Sequence, residues 1–380
     1  MLKDAKVAAQ DTDTTPDIRV LRRDPKGAIS MVATRADVAR RAEVSPALVS
    51  YVLNGGPRSV SAAARARIEK AIEDLEYRPN SIAQALRGAS TKTIGLLLPS
   101  AVNNFFGELA TAIEKDLSLV GNTLAVGITA DDPARELRYI DTFLDRRVDG
   151  IMVISSHSLK TLTRLAEGST SAIVLDRVPG NLSVSSISVD NRAGVTAAID
   201  HLRQHGHSAI ACIGGRVDTE SADERVLAWK QNLTGAGIEA STALLARADF
   251  TKRGGYDAAM QLFSSTHPDT RRPTALFISS DIQTAGVLRA CYERGIQVPR
   301  DLAIASFDGT HSAAFAVPSI TSYRQPTALI AQNAVKVLLA QIADPTTEIS
   351  HTILAGALAI GASCGCPPIP GPPISVDDWV

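Results

Sequence analysis

Residues 34–54 read TRADVARRAEVSPALVSYVLN. Val38, Ala39, Ala42 and Val44, then Leu48, Val49, Val52 and Leu53, make two short apolar stripes at helical spacing. The residues between them, Glu43–Ser45, leave room for a tight turn and no more. Ser45 is a good N-cap, because its hydroxyl can accept from an unpaired N–H of the first turn. Pro46 suits the first helical position, where a missing N–H costs nothing. A second helix is therefore predicted to start there and to end at Asn54-Gly55-Gly56-Pro57. A third follows from Ser61 through ARARIEKAIEDLEY, with Ile68, Ile72 and Leu75 on one face. Two short helices, a tight turn and a third helix predict a helix-turn-helix. Periodicity alone leaves a plain helical bundle open.

Charge sharpens that reading. Residues 33–90 carry nine basic and six acidic side chains, a net +3, and residues 1–32 carry +1. The whole chain is −1, so residues 91–380 carry −5. A small basic module precedes a larger acidic one, which excludes a uniformly basic nucleic-acid coat. At 380 residues and 45% hydrophobic content the chain is too long for one ordinary domain and rich enough to pack large cores. The chain lacks an apolar run of the ~18 residues a membrane span needs, and its beginning lacks the apolar centre of a signal peptide. Four scattered cysteines make no disulfide scaffold, so a reducing cytoplasm is expected. Residues 1–32 read as a disordered leader, with Met31 a possible alternative start. Residues 364–380 read as a Pro-rich tail without the period of a tetramerising coiled coil.

From residue 93 the texture changes. TIGLLLP, NTLAVGI, GIMVIS, SAIVLD, AIACIGG, TALFISS and LAIASFD are strand-length apolar runs, most followed by 10–20 helix-like residues. That alternation is the βαβ pattern of parallel sheets buried on both faces. Seven runs exceed one small sheet. They predict an α/β core of two doubly wound halves with a ligand cleft at the strand C-termini between them. The texture suits many enzymes too, so it decides no function.

Several separated strings, in order, carry a resemblance. DVARRAEVSPALVSYVLNG, YRPNSIAQALR, VDNRAGVTAAIDHLRQHGHSAIACIGG, the Asp-Phe before GGYDAAM, TALFISSD and SFDGTHSAAFAVPSITSYRQP resemble the lac repressor and galactose repressor family of transcriptional regulators. The resemblance covers roughly residues 33–363. It implies a helix-turn-helix headpiece over 33–79, a hinge helix over 80–91 and a periplasmic-binding-protein-like core over 92–363. Within the core it implies one subdomain from 92–190 with 326–352 and another from 191–325 with 353–363. In this family the second helix enters the major groove, which places Pro46, Ala47 and Tyr51 at base edges. Pro46 and Ala47 offer only apolar contacts, to thymine methyls, and Tyr51 is the polar reader. Ser50, Asn54, Arg58 and Ser61 are the expected phosphate contacts, which orient without reading sequence. Leu86 occupies the lever position that wedges into the minor groove when two hinges pair. Pairing implies a homodimer on double-stranded DNA with a pseudo-palindromic operator.

The resemblance also implies an effector site. Phe106, Asp176, Arg225, Phe250, Asp308 and Gln325 match the family's ligand-facing positions, and of Phe105 and Phe106 one is expected to be structural. Carboxylates, a guanidinium, an aromatic platform and an amide suit vicinal hydroxyls and the C–H face of a sugar. Purine-responding relatives place an Arg just before the Arg225 position, where this chain has Thr219 and Ser221, so a sugar is favoured over a purine or nucleoside. Ala228 replaces the usual Gly, and Ser280 the Asn common in sugar responders. His157, His201, His205, His207 and His311 are read as non-catalytic, and Cys364-x-Cys366 as lacking the second pair that a zinc site uses. No metal, no cofactor and no enzymatic activity are expected. The rivals are an uptake solute-binding protein, which needs a secretion signal and no headpiece, and a doubly wound enzyme, which needs nucleophile or phosphate motifs not found here. The expected protein is a cytoplasmic, nucleoid-associated repressor controlled by a small molecule.

Overall fold

The structure, a computed structural model, describes residues 21–23, 29–31, 33–54, 59–77, 90–155, 159–178, 183–238, 240–264 and 272–367. Arg58 and the hinge with Leu86 lie outside the described residues. The chain forms two compact units, Met1–Ala89 and Ser90–Val380.

In the first unit, β1 (Leu21–Arg23) pairs antiparallel with β2 (Ile29–Met31). The leader expected to be disordered thus contains a short ladder. Three helices follow: α1 (Arg35–Ala42), α2 (Pro46–Asn54) and α3 (Ala62–Asp74). Thr34 caps α1 through a reciprocal box with Asp37, which satisfies backbone donors at the helix start. Glu43 takes a left-handed φ of 54° and turns the chain after α1. Ser45 Oγ then accepts from Leu48 N at 3.3 Å and starts α2. Val38, Ala39, Ala42, Val49, Ile68 and Ala71 form the small core, and Arg41 pairs with Asp74 across α1 and α3 at 2.8 Å.

The second unit holds two six-stranded sheets. The first has the order β13-β7-β6-β5-β3-β4, wholly parallel, from His351–Leu354, Ser185–Val189, Ser171–Leu175, Gly150–Val153, Thr93–Leu98 and Thr123–Ile128 respectively. Its helices are α4 (Asn104–Leu119), α5 (Pro133–Asp145), α6 (Leu159–Ala166) and, from later in the chain, α12 (Thr327–Ala343). The second sheet has the order β14-β12-β11-β10-β8-β9, from Ala357–Ala359, Thr321–Arg324, Ala303–Asp308, Ala275–Ile278, Ile210–Gly214 and Leu245–Arg247. Only β14 runs antiparallel. Its helices are α7 (Asn191–Gln204), α8 (Glu220–Gly235), α9 (Lys252–Ser264), α10 (Asp281–Arg294) and the single turn α11 (His311–Ala314). Strands β5, β8, β10 and β11 are buried throughout, as sheets covered on both faces require.

The chain crosses between the halves three times: at Asp190, at Gln325–Pro326 and after Leu354. The last crossing lies a few residues beyond the expected boundary at 352/353, because His351–Leu354 pairs in full with Ser186–Val189 of the first sheet. The second half also outlasts residue 363. Cys364 is buried, in a 3-10 turn over Ala362–Cys364, and Ser363 Oγ donates to Ile304 O at 2.7 Å.

Candidate functional site

Each unit holds a candidate site. On α2, Val49 is buried against α1 and α3, while Pro46 and Ala47 at the helix start are exposed and Tyr51 is half-exposed. The helix therefore presents its first turn and Tyr51 to solvent because its opposite stripe is spent on the core. Ser50 is half-buried. Ser61 accepts from Ala64 N at 3.3 Å, so this hydroxyl already caps α3. Asn54 closes α2.

In the second unit, side chains from both halves meet at the strand C-termini. Asp176 follows β6, and Asp308 ends β11. Both take left-handed φ values, 62° and 105°, which a non-glycine residue adopts only where its surroundings impose it. Arg225, from α8, lies between them. Its Nη1 is 3.6 Å from Asp308 Oδ1 and its Nη2 4.0 Å from Asp176 Oδ1. Its Nε donates to Asn191 Oδ1 at 2.8 Å and its Nη1 to Ser279 O at 2.7 Å. The guanidinium also lies over the Phe307 ring, 3.8 Å from the centroid. A cation this buried survives because every face has a partner.

Gln325 sits directly at the second crossing and donates to Asp308 Oδ1 at 2.9 Å. Burial pushes the Asp308 carboxyl well above the usual carboxylate range, against the pull of Arg225. Burial likewise raises Asp281, although Thr310 N and Oγ1 donate to its Oδ2 and Ser322 Oγ to its Oδ1. Phe250 stands over Gly215. A Cβ on Gly215 would fall 2.4 Å from Phe250 Cζ, so Gly215 makes room for this ring.

All six expected effector residues line one narrow cavity between the two halves. Asn103, Phe105, Arg177, Ser221 and Ser280 line it too. Both Phe105 and Phe106 reach it and both pack into the core of the first half. Arg177 was missed by sequence reading. It is buried, pairs with Asp131 and lies 6.0 Å from the Phe106 centroid. Its neighbour Asp176 was the available signal. Asp176 Oδ1, Ser221 Oγ and Gln325 Oε1 are buried and make no hydrogen bond among the described residues. Such atoms cost stability unless a ligand or solvent satisfies them. His311 N of α11 donates to Glu108 Oε1 of α4 at 3.0 Å, joining the two halves directly.

Residues 34–80 match the family profile of bacterial regulatory proteins of the lacI family, and residues 199–364 that of a periplasmic binding protein-like domain. The chain is 32% identical over 319 residues to the ribose operon repressor of Escherichia coli (strain K12), covering 83% of this chain and 95% of the relative. It is 30% identical over 319 residues to the HTH-type transcriptional repressor PurR of Aliivibrio fischeri (strain MJ11), covering 83% and 94%. Among solved structures it resembles the lac repressor dimer bound to operator and the anti-inducer ONPF. There the TM-score is 0.77 at 25% identity, over 87% of this chain and 99% of that one.

Proposed function

Because the chain belongs to the lacI family of bacterial regulatory proteins, we propose that it is a transcriptional repressor whose hold on operator DNA is set by a small sugar bound in the cavity around Arg225. The observation that carries the sugar is the set of buried, unsatisfied oxygens on Asp176, Ser221 and Gln325 beside a fixed guanidinium. A polyol hydroxyl donates and accepts at once, so a ring of vicinal hydroxyls satisfies such a lining, while Phe250 offers a flat face for its C–H surface. The position where purine responders place an Arg holds the short Thr219 and Ser221, both buried.

On the DNA side, Pro46, Ala47 and Tyr51 face base edges. Ser50, Asn54, Arg58 and Ser61 hold phosphates, Ser61 through whatever its capping role leaves free. Leu86 wedges into the minor groove where two hinges of a homodimer meet on a pseudo-palindromic site. The headpiece spans 33–79 and the hinge 80–91. The work is done in the cytoplasm, on the nucleoid, and consists of binding without turnover.

Mechanistically, a ligand held by Asp176 on one side and by Arg225, Asp308 and Gln325 on the other favours one angle between the halves. It can shift the equilibrium only by its differential affinity for the two angles. The test is a thermal-shift screen of the full chain against aldopentoses, hexoses, sugar phosphates, nucleosides and purines. A ligand at 100 times its Kd adds about 2.7 kcal/mol, a visible rise in Tm. A rise with a sugar alone supports the reading; a rise with a purine and none with sugars overturns it.

A further inference from the structure

Away from the cavity, four metal-ligating side chains converge. His201 and His205 stand four residues apart at the C-terminal end of α7, so their imidazoles project from one face on successive turns. Cys364 and Cys366 arrive from the turn after β14. Between them Gly365 takes a φ of 96°, open to glycine, and lets both thiols reach the same imidazole. His201 Nε2 is 3.2 Å from Cys364 Sγ and 3.7 Å from Cys366 Sγ, and His205 Nε2 is 3.3 Å from Cys366 Sγ. The four ligand atoms all lie within 4.8 Å of one another. A tetrahedral zinc ion, with Zn–S about 2.3 Å and Zn–N about 2.0–2.1 Å, holds its ligand atoms about 3.4–3.8 Å apart. Small side-chain adjustments close the difference.

The reading of Cys364-x-Cys366 as a pair without a partner is corrected here. HLRQH, residues 201–205, supplies a second pair at ligand spacing, and the fold joins the two across more than 160 residues of chain. The arrangement differs from ordinary packing of cysteine. Cys212 and Cys291 lie inside apolar cores, where burial pushes their thiols up, that of Cys291 to about 12. Cys364 borders the same apolar core as Cys212, but it also has Thr321 Oγ1 at 3.0 Å, a hydroxyl it shares with Gly361 O and one of the kind that supports a metal-bound thiolate. Cys366 and His205 reach the surface, which leaves a path for an ion.

We propose that His201, His205, Cys364 and Cys366 form a tetrahedral site for one zinc-class divalent cation, which fastens the end of the second half to α7. Two thiolates and two neutral imidazoles suit a borderline-soft ion and exclude calcium or magnesium, which take oxygen ligands. The two thiolates balance the 2+ charge, and the two thiol protons pass to solvent on binding. The helix so fastened starts at Asn191, the residue that orients Arg225, about 21 Å away along 14 residues.

The experiment uses the untagged full chain, stripped with chelator under reducing, anaerobic conditions and titrated with cobalt(II). The expected result is saturation at one cobalt per chain, with tetrahedral ligand-field bands and a thiolate-to-cobalt charge-transfer band. Zinc should displace the cobalt stoichiometrically and raise Tm over the stripped protein. Cys366→Ser should lose about half of the charge-transfer intensity expected for two thiolates. His205→Ala, at an exposed position, should keep its fold by circular dichroism and lose the tetrahedral bands. Uptake without a thiolate band, bands unchanged in both variants, or a Cys364–Cys366 disulfide that reforms in place of metal uptake overturns the proposal.

Discussion

Asp308 concentrates the chemistry of the cavity in one residue. It is buried at the end of β11, in a left-handed backbone conformation, between Arg225 and Gln325. Its carboxyl is raised because burial outweighs the attraction of the guanidinium. A raised folded value means that the native state keeps a proton that the unfolded chain releases first. Stability from this group is therefore full below the ordinary aspartate value of about 3.9 and is lost as pH rises through the raised value. Asp308→Asn removes that slope and keeps an acceptor for Gln325. In chemical denaturation of the ligand-free protein, wild type should lose ground to the variant as pH rises from about 4 toward neutrality. A constant difference across that range contradicts the assignment. Asp281 lies close enough to repel Asp308, so the double variant with Asp281→Asn separates its share of the slope.

At the scale of elements, two contacts carry predictions. Helices α9 and α10 approach so closely that a Cβ on Gly286 would fall 1.9 Å from Lys252 O, a backbone atom with nowhere to go. Gly286→Ala should lower stability by about 1–3 kcal/mol or more, seen as a fall in Tm. Because α9 begins beside Phe250, ligand affinity should fall with it. On α2, the apolar stripe anchors the helix through Val49 and leaves Tyr51 half-exposed. Tyr51→Ala should cost about 1–3 kcal/mol in binding to a site selected from a random DNA pool. Its salt-dependent non-specific binding should stay unchanged, since phosphate contacts are untouched. Equal loss on specific and random DNA would move Tyr51 out of the reading face.

At the scale of the whole molecule, the cavity lining and the crossings between the halves lie together. Asp190 caps α7 immediately before Asn191, which holds Arg225, and Gln325 is itself the second crossing. Whatever orders these side chains also orders the connections between the halves, which Glu108 and His311 N join separately. Coupling between effector and operator is reciprocal by thermodynamic necessity. If saturating sugar changes operator affinity by some factor, saturating operator should change sugar affinity by the same factor. Paired titrations by fluorescence and calorimetry measure both. Unequal factors would mean that more than one coupled equilibrium is being read.

Much of this was legible in the amino-acid sequence because it is local. The Ser45-Pro46 start of α2 and the apolar runs at β3, β5, β8, β10 and β11 follow from spacing and from backbone groups a few residues away. The six residues expected to face an effector were picked out by motif, and their meeting in one cavity needed the fold. Other features depend on which distant strands pair. His351–Leu354 belongs to the first half only because it completes that sheet beside β7. Arg177 enters the cavity because Asp131 holds it there, and Cys364 and Cys366 acquire His201 and His205 only because the end of the second sheet folds against α7. Helical and strand periods report which face of an element is apolar. Where two such faces meet is decided by packing, which places together side chains that no spacing along the chain relates.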